Sequence, residues 1–128
     1  MEYISLVVII ALIEYLFFQG VVGKARGDYQ IKAPAITGDQ NFERKFRVQQ
    51  NTLEQLIVFI PAIYLAGIYA NEIAAALLGS LFLIGRPIYY RGYVNNPSRR
   101  GTGMLIGYIP TVLLLLMALV GSIIKIVS

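Results

Sequence analysis

Four polar residues stand in a line within a largely apolar chain. On an α-helix, Arg44, Arg47, Asn51 and Glu54 follow steps of three and four and fall in one narrow stripe. Gln49 lies about 200° round the helix from Arg47, at roughly 100° per residue, so one helix presents polar groups to two different neighbours. A second stripe is formed by Arg86, Tyr89 and Tyr93, also three and four apart, with Tyr90 beside them and Arg99 and Arg100 just beyond Pro97. Guanidinium groups suit carboxylates, the amides of Asn51 and Gln49 suit a peptide, and Glu54 suits an ammonium group. The chemistry indicated is capture of an anionic, peptide-like ligand in a cationic, phenol-lined pocket. A solvated helix face laced with salt bridges would give the first stripe equally well. The second stripe shifts the balance, because Arg86 sits about twelve residues into an apolar span. An arginine there costs about 2.5 to 3.5 kcal/mol on insertion scales and normally faces a bundle interior or an aqueous cavity.

The elements that must position these residues follow from composition. Of 128 residues, 57% are hydrophobic and 14% charged, too apolar for a soluble domain of this size. The spans expected are Tyr3 to Gly23, Glu54 to Ala70, Ile73 to about Tyr90, and Gly101 to Ile124. The last is uncharged throughout and, at about 1.5 Å per residue, longer than a hydrocarbon core of roughly 30 Å. The fold expected is all-α, an integral membrane four-helix bundle forming one domain over residues 1–128. The opening "MEYISLVVIIALIEYL" has no basic region before its apolar run and reads as a retained anchor.

The net charge of +4 is unevenly placed. Lys24, Arg26, Lys32, Arg44, Lys45 and Arg47 cluster about the first connection, and Arg86, Arg91, Arg99 and Arg100 about the third. The hairpin at Asn71 and Glu72 has neither Lys nor Arg. This bias puts both basic connections in the cytoplasm and accounts for the cations without nucleic acid. The absence of Cys and His removes thiolate nucleophiles, zinc ligands and histidine triads, so no metal is expected and any reactive sulfur must come with a substrate.

Locally, Gly23 and Gly27 around Lys24 and Arg26 suggest that the first helix ends there. Asp39 or Asn41 is the expected cap of the second helix. Gly79, Gly85, Gly103 and Gly107 are candidates for close helix approach. Pro61 and Pro110 are expected to kink their helices.

The segments "FERKFRVQQNTLE" and "LAGIYANEIAAALLGSLFLIGRPIYYRGYVNNPSRR" resemble the MAPEG family, the membrane-associated proteins in eicosanoid and glutathione metabolism, which includes microsomal glutathione transferases and leukotriene-forming synthases. The resemblance runs from about Arg26 to Arg100. It implies a homotrimer in which each subunit binds glutathione, as cosubstrate, at the cytoplasmic side between neighbouring subunits. Arg47, Asn51, Glu54, Tyr89 and Tyr93 would come from one subunit and Arg26 and Gln49 from the next. Arg100 matches the arginine that stabilises the glutathione thiolate. The second substrate would be a lipophilic electrophile or hydroperoxide entering from membrane lipid. Leukotriene-forming relatives often carry an aromatic residue where this chain has Gln55 and a second arginine where it has Gly27. Those departures favour a general glutathione transferase or peroxidase. The short chain points to a bacterial inner membrane.

Two other readings compete with the transferase. Glu14, ionisable in mid-span, would suit a proton-coupled exporter of cationic drugs or, more simply, an inter-subunit hydrogen bond with Gln19 or a neighbouring backbone group. A non-catalytic scaffold that presents lipids is the third.

Overall fold

A computed structural model describes residues 1–96 and 107–128 with their side chains, and the helical backbone of 100–106. With no water in a bilayer core to satisfy a backbone N–H or C=O, the β-branched residues crowding this chain do not prevent helix. Four helices form: α1 (Glu2–Tyr29), α2 (Gln40–Tyr69), α3 (Glu72–Asn95) and α4 (Arg100–Val127). All four segments are long and apolar enough to cross a membrane.

α1 does not stop at Gly23 or Gly27. It runs to Tyr29 and closes on Gln30, whose φ of 56° and ψ of 46° form a left-handed cap, with the Ile31 N–H donating to the Arg26 carbonyl at 3.0 Å. A non-glycine residue in this region costs roughly 1–2 kcal/mol. Burial of the adjacent Ile31 against Val22, Ala25 and Phe42 offsets that cost. Tertiary packing, not glycine, sets this end.

α2 begins where expected. Asp39 caps it, its Oδ1 accepting from the N–H groups of Asn41 at 2.8 Å and Phe42 at 3.2 Å. Glu43 reaches back to accept from the Gly38 N–H at 3.4 Å. Asp39→Ala is expected to lower stability by about 1 kcal/mol. Chemical denaturation in detergent would show it, and an unchanged midpoint would contradict it. Asn71 caps α3 in the same way, accepting from the Ala74 N–H at 2.8 Å.

The helices alternate in direction. At one end the Met1 ammonium pairs with Glu72, and Lys125 lies over the Tyr69 ring. At the other, basic end Arg44 donates to the Val94 carbonyl at 3.3 Å, tying the start of α2 to the end of α3. α2 and α3 each pack on both α1 and α4, while among the described residues α1 and α4 barely touch. The core runs through Ile4, Val7, Ala11, Phe59, Ile63, Ala66, Phe82 and Leu114, and Phe59 and Phe82 stack at 4.0 Å.

Close approaches occur at glycines only partly foreseen. A Cβ at Gly79 would fall 2.5 Å from Ile63 Cδ1, as the small-residue argument expects, whereas at Gly107 it would meet only ordinary contact, 3.7 Å from Phe82. Gly67 and Gly121 are the approaches that sequence reasoning missed. Gly103 lies in the stretch of α4 of which only the helical backbone is described. Pro61, Pro87 and Pro110 all sit inside helices.

Outward, Leu6, Ile9, Ile13, Leu16 and Phe17 on α1 and Leu116, Leu119, Val120 and Ile123 on α4 are exposed. An unbroken apolar exterior of this kind is the surface of an integral membrane protein.

Candidate functional site at the basic end of the bundle

The polar half of α2 meets three different environments, one per helix face. Toward α3, Asn51 is buried, and its Oδ1 accepts from both Nη1 and Nη2 of Arg86, each at 3.1 Å. Arg86 is 2% exposed, with its guanidinium carbon 4.5 Å from the centre of the Tyr89 ring and 5.9 Å from that of Phe82. An arginine so deep in the bundle is sustained by an acceptor and two aromatic faces. Glu14 Oε1 and Arg86 Nε are both buried and make no hydrogen bond among the described residues.

Below this layer, Tyr89 and Tyr93 stack at 5.7 Å, one turn apart on α3. They share a small cluster with Phe18 and Val48, so phenols and guanidinium occupy one seam between α1, α2 and α3. The sequence-derived stripe Arg86, Tyr89, Tyr93 is therefore a structural unit that faces inward.

The stripe on α2 divides. Arg47 and Glu54 pair across two turns at 3.6 Å with both side chains more than half exposed, on the outer face. A pair so exposed contributes at most about 1 kcal/mol in water, and both groups stay available to a ligand. Arg44 is spent on the Val94 carbonyl.

Gln49 faces another way, as the helical wheel predicts, and donates to the Tyr15 hydroxyl of α1 at 3.4 Å. Gln19 donates to the same hydroxyl at 3.5 Å. Tyr15 as the hub of two amides was not legible in the sequence, since its partner on α2 is 34 residues away. Arg26 closes the first connection. It donates to the carbonyls of Ala35 at 2.7 Å and Ile31 at 3.4 Å and lies 5.0 Å from the Phe42 ring centre. Arg26 and Gln49 thus lie on the α1 side of α2.

On the α4 side, a cleft of about 330 Å³ is lined by Asn51, Glu54 and Gln55 of α2 and by Tyr108 and Thr111 of α4, with apolar walls from Val58, Val112 and Leu115. Tyr108 and Thr111 were not among the sequence-derived candidates. Their only sequence signal is a hydroxyl pair three apart on the most apolar helix. Arg100 begins α4, and its side chain lies outside the described residues, as do Arg99 and Pro97. The structure thus brings Asn51, Arg86, Tyr89 and Tyr93 together in one seam and sets Asn51 and Glu54 on a common cleft. It places Arg26 and Gln49 elsewhere.

Known proteins are similar in sequence to this chain over most of its length. The chain is 40% identical over 115 residues to an uncharacterized protein of Synechocystis sp., covering 90% of this chain and 84% of that one. It is 39% identical over 100 residues to microsomal glutathione S-transferase 2 of Homo sapiens, covering 78% of this chain and 68% of the other. Against leukotriene C4 synthase of Mus musculus it is 31% identical over 118 residues, 92% of this chain and 79% of that protein. The sequence pattern of the MAPEG family matches residues 4–120. A buried guanidinium seam within four membrane helices and a family match over nearly the whole chain lead to one conclusion: this protein is a member of the MAPEG family.

Proposed function

We propose that this chain, acting as one domain over residues 1–128, is a membrane-bound glutathione transferase with peroxidase capacity. It binds glutathione at the basic end and ionises its thiol for attack on lipophilic electrophiles or hydroperoxides. The observation that carries this reading is the convergence on one cleft of a buried amide, Asn51, and an exposed carboxylate, Glu54, itself paired with Arg47. These groups match the carboxylates, amides and ammonium of a charged tripeptide. Relatives over 78% and 92% of this chain carry the names of a glutathione S-transferase and a leukotriene C4 synthase.

In this reading Arg47, Asn51, Glu54, Tyr89 and Tyr93 serve the glutathione of their own subunit. Arg26 and Gln49, held on the α1 side, serve the site of the neighbour in a homotrimer. Tyr89 is fully buried, so its contribution is to seat Arg86 and Tyr93. The apolar walls of the cleft lead to the lipid-facing surface, which supplies the second substrate. The basic connections at this end support a site on the cytoplasmic side, which this reading sets in a bacterial inner membrane. The exporter reading loses ground, because an arginine buried inside the bundle, Arg86, opposes the passage of a second cation beside it.

Arg100 is the catalytic residue proposed. A thiol with a pKa near 8.5 is only about 3% ionised at pH 7, and a nearby guanidinium favours the thiolate. Attack by the thiolate on an electrophilic carbon forms the C–S bond as the leaving group departs with its electron pair. The thiol proton passes to solvent.

Stopped-flow ultraviolet absorbance of purified protein mixed with glutathione tests this. The wild type should show thiolate, and Arg100→Ala should lower its amplitude at pH 7 on the order of tenfold. Binding without thiolate would indicate the lipid-presenting scaffold, and no binding would overturn the proposal.

A further inference from the structure

The Arg86–Asn51 contact has a chemical polarity that decides what Asn51 can offer a ligand. A guanidinium carries only donors, so the amide oxygen must face it, and the geometry fixes this with two converging N–H groups at 3.1 Å each. The amide NH2 then points away from α3. Asn51 also lines the cleft between α2 and α4, where Glu54 supplies acceptors one turn further along. Rotation of the amide would press NH2 against a buried guanidinium, so the orientation is locked. Arg86 is in turn held by the Tyr89 face.

We infer that Arg86 is a positioning residue that makes Asn51 a dedicated hydrogen-bond donor, so the ligand in the α2–α4 cleft must present an acceptor, a carboxylate or amide carbonyl oxygen, at Asn51. The inference rests on the glutathione reading above and adds the polarity of one subsite and the residue that sets it. Arg86 touches neither ligand nor reacting atoms. Its effect passes through the Asn51 amide.

The test measures glutathione binding by isothermal titration to the full chain in detergent, with five variants. Asn51→Asp keeps the shape and an acceptor for Arg86 but removes the donor, and should weaken binding by about tenfold or more. Arg86→Met releases the amide and should weaken binding about tenfold, while Arg86→Lys, which retains one donor to Oδ1, should recover part of the loss. Asn51→Ser keeps a hydroxyl near the guanidinium and has no amide to orient, so adding Arg86→Met in that background should change binding less than about twofold. An Arg86 acting only as a general structural element would weaken binding equally in both backgrounds, and that result overturns the inference. Asn51→Asp binding as tightly as wild type would overturn it too, since the ligand would then be donating. Should Arg86→Met fail to fold, Arg86→Lys in the wild-type and Asn51→Ser backgrounds makes the same comparison. Wild-type protein that binds no glutathione overturns the functional reading, whereas wild-type binding with equal losses in both backgrounds overturns the positioning role alone.

Discussion

Asn51→Leu is expected to destabilise the folded protein by about 3 kcal/mol or more, the range found when one partner of a buried charged contact is removed. The size follows from what Arg86 has available. Its Nη1 and Nη2 both donate to Asn51 Oδ1, and its Nε makes no hydrogen bond among the described residues. At 2% exposure the guanidinium cannot turn to water, and leucine offers it nothing. The Tyr89 ring persists, which keeps the cost below that of an isolated ion.

Asn51→Asp preserves the acceptor and should stay within about 1 kcal/mol of wild type, although it is expected to lose ligand binding. The double variant Asn51→Leu with Arg86→Met should be more stable than Asn51→Leu alone, because removing both partners leaves no orphaned charge. Reversible unfolding by dodecyl sulfate in mixed micelles measures all three. A loss below about 1 kcal/mol for Asn51→Leu would mean that the guanidinium finds another partner, and the seam would then be incidental to stability.

The second large effect is expected at Gly121, where α4 crosses the end of α2. A Cβ there would fall 2.2 Å from the Tyr69 carbonyl oxygen and 2.7 Å from its carbon. Backbone cannot swing aside as a side-chain tip can, so even alanine must push α4 away from α2. The expected cost is about 2 kcal/mol for Gly121→Ala and more for Gly121→Val. Gly79 provides a graded comparison, since its nearest neighbours are the flexible ends of Ile63 and Val7, at 2.5 and 2.9 Å. Gly107 supplies the opposite sign. Its Cβ would meet Phe82 at 3.7 Å, and removing a glycine from a helix interior stabilises by roughly 0.5–1 kcal/mol. Thermal unfolding followed by circular dichroism should therefore order the proteins Gly107→Ala, wild type, Gly79→Ala, Gly121→Ala from most to least stable. A Gly121→Ala protein as stable as wild type would contradict the close crossing.

The chain's one-dimensional properties fixed the spans, the basic end and the polar half of α2. Hydropathy over about twenty residues and the placement of Lys and Arg are properties of the chain itself, and they need no partner to be read. The cap at Asp39 was equally plain, because it acts within three residues. Helical spacing also showed that Arg86, Tyr89 and Tyr93 belong together and that Gln49 turns from Arg47.

Only the tertiary structure decided which of these groups meet. Arg86 reaches Asn51 across 35 residues of sequence, and Gln49 reaches Tyr15 across 34, because each helix is rotated about its axis by the packing of its apolar face. Neither rotation is encoded in any single helix. The end of α1 belongs to the same class, set at Gln30 by the burial of Ile31 against Phe42 of α2, while Gly27, the residue local propensity would choose, stands inside the helix. The division of the α2 stripe has the same cause. Arg47 and Glu54 face outward while Asn51 between them is drawn inward, because a guanidinium buried on α3 requires an acceptor and α2 presents one at that depth.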